Sequence, residues 1–465
     1  MMEMMLSDIA RCVRGQLVGQ DTAISSVSID TRAIRPGQLY VAIKGHNFDG
    51  NDFVDMAEQA GATAAIVHKE VAATMPHIVV EDTRLALAEL AGAWRQKASV
   101  SVVGMTGSNG KTTVKEMVAA ILGVNDPVLF TQGNLNNEIG VPLTLLRLEE
   151  RHRYAVVEMG ANHPGEITYT STYAQADVVI ITNVGAAHIE GFGSLDGIAR
   201  AKGEIIQTLK NDGIAVLNRD DAYFDYWKTI AGARKTVSFG LNDGADVTAR
   251  SIRTEIRTNE GTNAGSAASA EFITGFELVT ALGSLAVNLK LAGRHNVVNA
   301  LAAAAACLAL GLDLQQIKQG LESVKPVTGR LQPLVSRQGN IIIDDTYNAN
   351  FASLKAGLAV LEDMPGEPWV VLGAFGELGP ESKKIHEEMG ELLKASGIVR
   401  LLATGADTRN TVRFFGPGAT FFETQNELID VLKQELKGSE SVLIKGSRAQ
   451  RMENVAAALV ENFRI

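Results

Sequence analysis

A chain of 465 residues, 46% hydrophobic and 21% charged, is too long for one core and too apolar for a disordered protein, and its length suggests about three domains. The net charge of −10 argues against a nucleic-acid partner, since binding a phosphate backbone draws on Lys and Arg; small anionic substrates stay open through local basic sites. The only cysteines, Cys12 and Cys307, lie far apart without metal-ligand spacing, which excludes a disulfide framework and a cysteine zinc site.

Residues 1–17 mix charges into apolar positions and lack the order of a signal peptide, so export is not expected. The first segment, 1–98, reads as a small α/β domain. Its pattern predicts a helix over 6–14, strands over 25–29 and 38–43, a helix over 53–60, a strand over 64–67 and a helix over 84–97.

The second segment, 99–327, opens on an apolar strand over 100–103 and the turn Gly104-Met105-Thr106-Gly107-Ser108-Asn109-Gly110-Lys111-Thr112-Thr113, followed by a helix over 113–122. Strand, glycine-rich turn, helix is the order of a phosphate cradle. Loop N–H groups and the positive helix end converge on one point, Lys111 reaches the β- and γ-phosphates, and Thr112 ligates Mg²⁺. Met105 stands where the strict pattern has Gly, so this is a variant loop. Apolar runs over 154–157, 178–182 and 214–217 read as parallel strands buried on both faces. In such a doubly wound sheet ligands sit beyond the carboxyl ends, where the loop, Glu158-Met159-Gly160 and Asn183 all fall. Residues 257–270 read as an exposed loop, followed by strands over 277–280 and 285–290. The alanine-rich run 300–310 is shorter than the roughly 20 residues needed to cross a bilayer and reads as a buried helix, not that of an integral membrane protein.

The third segment, 328–465, is a second alternating series with strands over 341–343, 369–372, 400–403 and 442–444. Its strand ends Gly373-Ala374-Phe375-Gly376 and Lys445-Gly446-Ser447-Arg448 resemble turns of dinucleotide folds. No G-x-G-x-x-G follows the first strand, which speaks against a separate NAD site.

Several side chains bear chemistry. Glu158, at a strand end near the cradle, is either a solvated carboxylate or a ligand to a nucleotide-borne cation. His188, on the loop after Asn183, is either polar surface or a ligand, and Lys202 alone is most simply a solvated lysine. In Thr131-Gln132-Gly133-Asn134-Leu135-Asn136-Asn137-Glu138-Ile139-Gly140 the amides serve either a tight turn or the orientation of a carboxylate or phosphate. Asn296 either caps the alanine-rich helix or reads an adenine edge. In Asp344-Asp345-Thr346-Tyr347-Asn348-Ala349-Asn350 the paired carboxylates suit a ribose, a metal or an ammonium group, or else cap a helix.

In this order, Thr106 to Thr112, Gly133-Asn134-Leu135-Asn136-Asn137, Glu158-Met159-Gly160, His188, Lys202, the Asn296 helix, Arg330 and Asp345 resemble the Mur ligase family, ATP-dependent amide-forming enzymes of bacterial cell-wall precursor synthesis. The resemblance covers nearly the whole chain. The 344–350 motif, Gly376-Glu377-Leu378-Gly379 and Lys445-Gly446-Ser447-Arg448 are most similar to the branch that adds D-alanyl-D-alanine to UDP-MurNAc-tripeptide, and the Asp-Asn-Pro-Arg motif of the diaminopimelate-adding branch is absent. Ala374-Phe375 replaces an Asp-Met pair, and Phe351 stands where many relatives carry Pro.

The resemblance implies a three-domain α/β fold: an N-terminal UDP-precursor-binding domain, a central P-loop ATPase-like domain and a C-terminal Rossmann-like domain. It implies a monomeric cytoplasmic bacterial ligase that works through an acyl phosphate. ATP would contact Gly107, Ser108, Asn109, Gly110, Lys111, Thr112, Thr113, Asn296, Arg330 and Asp345, with Lys111, Glu158, His188 and Lys202 as the catalytic set. Thr112 and Glu158 would hold one Mg²⁺, and His188 and Lys202, carbamylated by CO₂, the other. The UDP-substrate would meet Ser28, Asp30, Thr31, Arg32, Lys44, Gly45, Asn134, Asn136 and Asn137. D-Ala-D-Ala would meet Asn348, Asn350, Lys445, Ser447 and Arg448. The competing expectations are another amino-acid-adding member of the family, a folylpolyglutamate synthase-like ligase, or a nucleotide-driven switch that joins nothing.

Overall fold

The computed structural model describes residues 3–45, 47–185, 189–259 and 269–460. Three sheet-centred α/β units follow one another along the chain. The first holds a five-stranded sheet in the order Gln16–Val18, His77–Val79, Ala64–Val67, Gln38–Val41, Ser26–Ser28. Its innermost strand, Ala64–Val67, is buried at every residue. The helix Thr83–Lys97 is started by Asp82, whose carboxylate accepts from the N–H groups of Arg84 and Leu85, satisfying donors that an open helix end leaves unpaired. Leu87 and Leu90 of this helix share one apolar cluster with Leu6 and Ile9 before it and Val157 and Trp227 beyond it. The first and central units therefore pack against each other through a common core.

The central sheet is six-stranded and wholly parallel, in the order Lys235–Phe239, Ile214–Asn218, Val178–Ile181, Ser101–Thr106, Tyr154–Glu158, Val128–Phe130. Register sets Glu158 beside Met105 and Ile181 beside Thr106, so three strands end at one level. The chain's strand order reverses on either side of Ser101–Thr106, a topological switch point that opens a crevice at the carboxyl ends. Helices Lys111–Leu122 and Arg294–Ala309 cover one face, with Ala302 to Ala306 fully buried in the second. The alanine run is thus a buried helix, and among the described residues no helix is long and apolar enough to cross a membrane.

The third unit has the order Gln332–Val335, Ile341–Asp345, Glu440–Lys445, Glu367–Gly373, Arg400–Thr404, Ala419–Phe422, parallel except for its first strand. Here register pairs Asp345 with Lys445, two charges from separate strands at one sheet end.

The expected loop over 257–270 is the main departure in the fold. Strands Thr248–Asn259 and Ser269–Thr280 run into it from both sides and pair antiparallel, with Gly283–Leu289 as the third strand. The second strand has a period of two that extends back from its apolar part into the polar stretch: Phe272, Thr274, Phe276 and Leu278 are buried while their neighbours are less so, as a half-covered antiparallel sheet requires. Residues 260–268 lie outside the described residues.

Candidate active site

The strand Ser101–Thr106 ends on the turn Gly107 to Gly110, and the helix Lys111–Leu122 begins directly after it. The turn is tied to the next strand end: Ser108 N–H donates to Asn183 O at 2.9 Å, Asn109 N–H to Asn183 Oδ1 at 2.9 Å, and Thr182 Oγ1 to Asn109 O at 2.6 Å. Held in this way, the opening N–H groups of the helix face a single point outside the sheet edge, the requirement for an anion cradle. Gly110, at the helix N-cap, has φ +82°, and a Cβ there would stand 2.4 Å from Asn299 Oδ1. Gly110→Ala combines a left-handed alanine, costing about 1–2 kcal/mol, with displacement of Asn299. ATP affinity is expected to fall at least about tenfold, read by calorimetric titration; an unchanged affinity would mean that this turn does not set the cradle.

Beside the turn the strand ends converge on a buried polar corner. Lys111 Nζ donates to Gly107 O at 2.7 Å; burial pushes its pKa down, Glu158 draws it back up, and Arg330 lowers it further. Glu158 is 2% exposed, its Oε1 accepts from Asn136 Nδ2 at 2.9 Å, and its Oε2 has no partner. Thr112 Oγ1 lies 3.5 Å from Oε1. A buried carboxylate oxygen left without a donor is costly, and next to a hydroxyl it forms the hard-oxygen setting that a divalent cation satisfies. The solvated reading of Glu158 is therefore set aside.

Lys202, in the helix Leu195–Gln207, is also buried, at 4% exposure, not solvated. Burial disfavours its ammonium form and Lys111 repels it, bringing its pKa down to about 7 against the opposing pull of Glu204. His188 lies outside the described residues.

The third unit is seated on this corner. Arg330 Nη2 donates to Thr112 Oγ1 at 3.2 Å while its guanidinium stacks over Tyr347 at 4.3 Å. Asn350 Nδ2 donates to Asn109 Oδ1 at 2.8 Å. Asp345 is held between Lys445 Nζ, at 2.5 Å from Oδ2, and the Leu331 N–H, at 3.3 Å from Oδ1. Neither Asp344 nor Asp345 caps a helix; Asn350 does, in a reciprocal box with Ser353.

Two cavities meet at Gly110, Arg330 and Asp345. The larger, about 520 Å³, gathers Lys111, Thr112, Glu158 and Lys202 with Asn134, Asn136 and Asn137, and, from the third unit, Asn348, Asn350 and Lys445. The other, about 400 Å³ and more apolar, is lined by Thr113, Asn296 and Asn299. Asn296 is not the helix cap, a place Gly293 takes; its Nδ2 donates to Ala292 O at 2.8 Å and its Oδ1 accepts from Asn299 Nδ2 at 3.1 Å.

Ser28, Asp30, Thr31, Arg32, Lys44 and Gly45 all belong to the first unit and line neither cavity. Ser28, Asp30 and Arg32 form a local knot: Arg32 holds the Asp30 carboxyl down to about 2, and the Ser28 hydroxyl donates to Asp30 O. Ser447 and Arg448 also stay outside the cavities. The Ser447 hydroxyl donates inward to Ala374 O at 2.8 Å, closing the junction of two strand ends, and Arg448 pairs with Glu453 at 3.1 Å.

Sequence reasoning left four participants without a role. Tyr347 carries the Arg330 guanidinium, Asn299 braces Asn296, His163 lines the larger cavity, and Lys115, fully buried, donates to Thr131 O at 2.8 Å. Thr131 Oγ1 in turn accepts the Glu158 N–H at 3.0 Å. Asn299 was discoverable, one helical turn from Asn296; the others are set by tertiary contacts.

Comparison with known proteins agrees with this geometry. Residues 23–95 match the Mur ligase family, catalytic domain; 105–307 the Mur ligase middle domain; and 329–448 the Mur ligase, glutamate ligase domain. The UDP-N-acetylmuramoyl-tripeptide–D-alanyl-D-alanine ligase of Escherichia coli (strain K12) is 43% identical, covering 99% of both chains. A crystal structure of MurF from Acinetobacter baumannii superposes with a TM-score of 0.90 at 37% identity, again over 99% of each chain. MurF from Thermotoga maritima, solved in complex with ADP, gives 0.81 at 32% identity over 93% of this chain and 96% of its own. With cradle, buried carboxylate and seated third unit in one place, and full-length similarity at these levels, the chain belongs to the Mur ligase family.

Proposed function

We propose that this chain is an ATP-dependent ligase that adds D-alanyl-D-alanine to UDP-MurNAc-tripeptide, forming UDP-MurNAc-pentapeptide through an acyl phosphate in the cytoplasm of a bacterium. The observation that carries the reading is the contact of Arg330 and Asn350 with Thr112 and Asn109: one unit presses side chains onto the phosphate loop of another, around a cavity large enough for reacting groups from two substrates. A simple nucleotide switch has no need of that second set. We place the domain boundaries at 98/99 and 327/328.

Lys111 and the N–H groups at the helix start hold the β- and γ-phosphates, and the Asn296 pocket takes the adenosine. Asn134, Asn136 and Asn137 orient the UDP-linked peptide, whose nucleotide end extends toward Ser28, Asp30, Thr31, Arg32, Lys44 and Gly45. Thr112 and Glu158 suit one Mg²⁺, with Glu158 Oε2 as the unpartnered ligand; His188 and a carbamylated Lys202 are the set for a second. When bound, these ions neutralise the charge of two anions brought together. The peptide carboxylate attacks the γ-phosphorus, ADP departs, and the dipeptide amine then attacks the acyl phosphate and expels phosphate. Seating of the third unit excludes water from that reactive anhydride. On the third-unit side Asn348, Asn350 and Lys445 line the cavity, and Ser447 and Arg448 act from behind it.

Phosphate release tests the reading. With ATP and UDP-MurNAc-tripeptide present, turnover is expected with D-Ala-D-Ala and not when diaminopimelate, glutamate or buffer replaces the dipeptide. Strong phosphate release from ATP in buffer alone would sink it.

A further inference from the structure

The inference rests on the ligase reading above and concerns where the amine's proton goes. An amino group meets an acyl phosphate as an ammonium at neutral pH. Forming the C–N bond and breaking the C–O bond to phosphorus sends an electron pair out with phosphate. Of the three N–H protons, one remains on the amide and one leaves on the phosphate. The third needs an acceptor in the cavity.

Most of the cavity's basic groups are already engaged. Asp345 is paired with Lys445, Glu158 faces Asn136 and Thr112, and Lys111 is turned to its own loop. His163 is different. It is the one imidazole lining the larger cavity among the described residues, and its side chain is 67% exposed there. Its Nδ1 lies 3.0 Å from Glu166 Oε1. Glu166 opens the helix Glu166–Ala174 and is fixed in turn by the Asn162 N–H, 2.7 Å from Oε2. Partial burial works to raise the Glu166 pKa, but the hydrogen bonds from the Asn162 N–H and from His163 outweigh it and hold the carboxyl below its ordinary range.

An ionised carboxylate accepts only, so Nδ1 carries a hydrogen, and in the neutral imidazole the lone pair is then on Nε2. This is the arrangement of a general base with its orienting partner. We propose that His163, oriented by Glu166, is the catalytic base that takes the third proton from the incoming amine at Nε2, with Glu166 as the positioning residue.

The test compares two amines on one variant. Hydroxylamine is largely unprotonated at neutral pH and traps acyl phosphates as hydroxamates without a base. In His163→Ala, kcat with D-Ala-D-Ala is expected to fall about 100-fold, within the range of general-base contributions, while hydroxamate formation from the tripeptide stays within about twofold of wild type. Glu166→Gln is expected to show the same selectivity with a smaller loss, because an amide no longer enforces the tautomer. Equal loss for both amines, no loss for either, or a raised KM for the tripeptide with kcat unchanged would each overturn the role of His163. A wild-type chain that releases no phosphate with the tripeptide and either amine would overturn the ligase reading itself, and the base with it.

Discussion

Lys111→Met is expected to lower kcat with UDP-MurNAc-tripeptide and D-Ala-D-Ala by at least about 10³-fold, a loss of roughly 4 kcal/mol of transition-state stabilisation. Lys111 Nζ already faces the cradle, bonded to Gly107 O at 2.7 Å. Its pKa is lowered by burial and raised by Glu158; phosphate oxygens entering the cradle act in the same direction as Glu158, so the ammonium is most stable when the γ-phosphate is negative. A methionine keeps the length and apolar stem of the side chain but offers no charge, so thermal stability should change little while phosphoryl transfer collapses. Steady-state kinetics with a melting curve on the same preparation checks both halves. A variant retaining more than about a tenth of wild-type kcat would show that Lys111 is not the phosphate ligand.

How far such a site is legible in a sequence depends on which forces place its parts. The phosphate loop was readable because everything it needs is local: an apolar strand, glycines that free the turn, and a helix start, all within ten residues. The parallel strands were readable because burial on both faces leaves continuous apolar runs such as Val178 to Ile181, fully buried. Short edge strands, Val128–Phe130, Gln332–Val335 and Ala419–Phe422 among them, carry no such run, since one edge meets solvent and their pairing is decided by neighbours. The same limit governs the site. Asn350 looks like a helix cap, and it is one, yet its other atom reaches Asn109, 241 residues away. Lys115 reads as a polar residue in a helix but is buried with its ammonium on Thr131 O. Ser447 and Arg448 follow Lys445 closely in sequence, yet only Lys445 faces the cavity, because the strand Glu440–Lys445 ends there and the turn beyond it redirects the chain. The family resemblance supplied candidates; tertiary contact decides which of them face the reacting groups.

Lys202→Ala is the second change expected to remove activity, by about 10³-fold, and it separates two accounts of a buried lysine. As an ammonium, Lys202 would sit near Lys111 in a corner where Glu158 Oε2 has no donor, and positive charge would repel any cation there. As a carbamate it supplies a carboxylate in that place. The physical precondition is present: burial and Lys111 bring the Lys202 pKa down to about 7, and only the neutral amine reacts with CO₂, losing a proton as the N–C bond forms. Above that pH the neutral amine predominates; below it the ammonium returns and the carbamate is disfavoured, so wild-type activity should decline as pH falls through about 7. In Lys202→Ala a small carboxylate such as acetate or formate can enter the space left by the side chain, and partial recovery of phosphate release that saturates with its concentration is expected. Chloride at equal ionic strength should restore nothing. Full activity without any added carboxylate would remove the carbamate role, and a dead variant that no carboxylate rescues would favour a lysine acting as a cation.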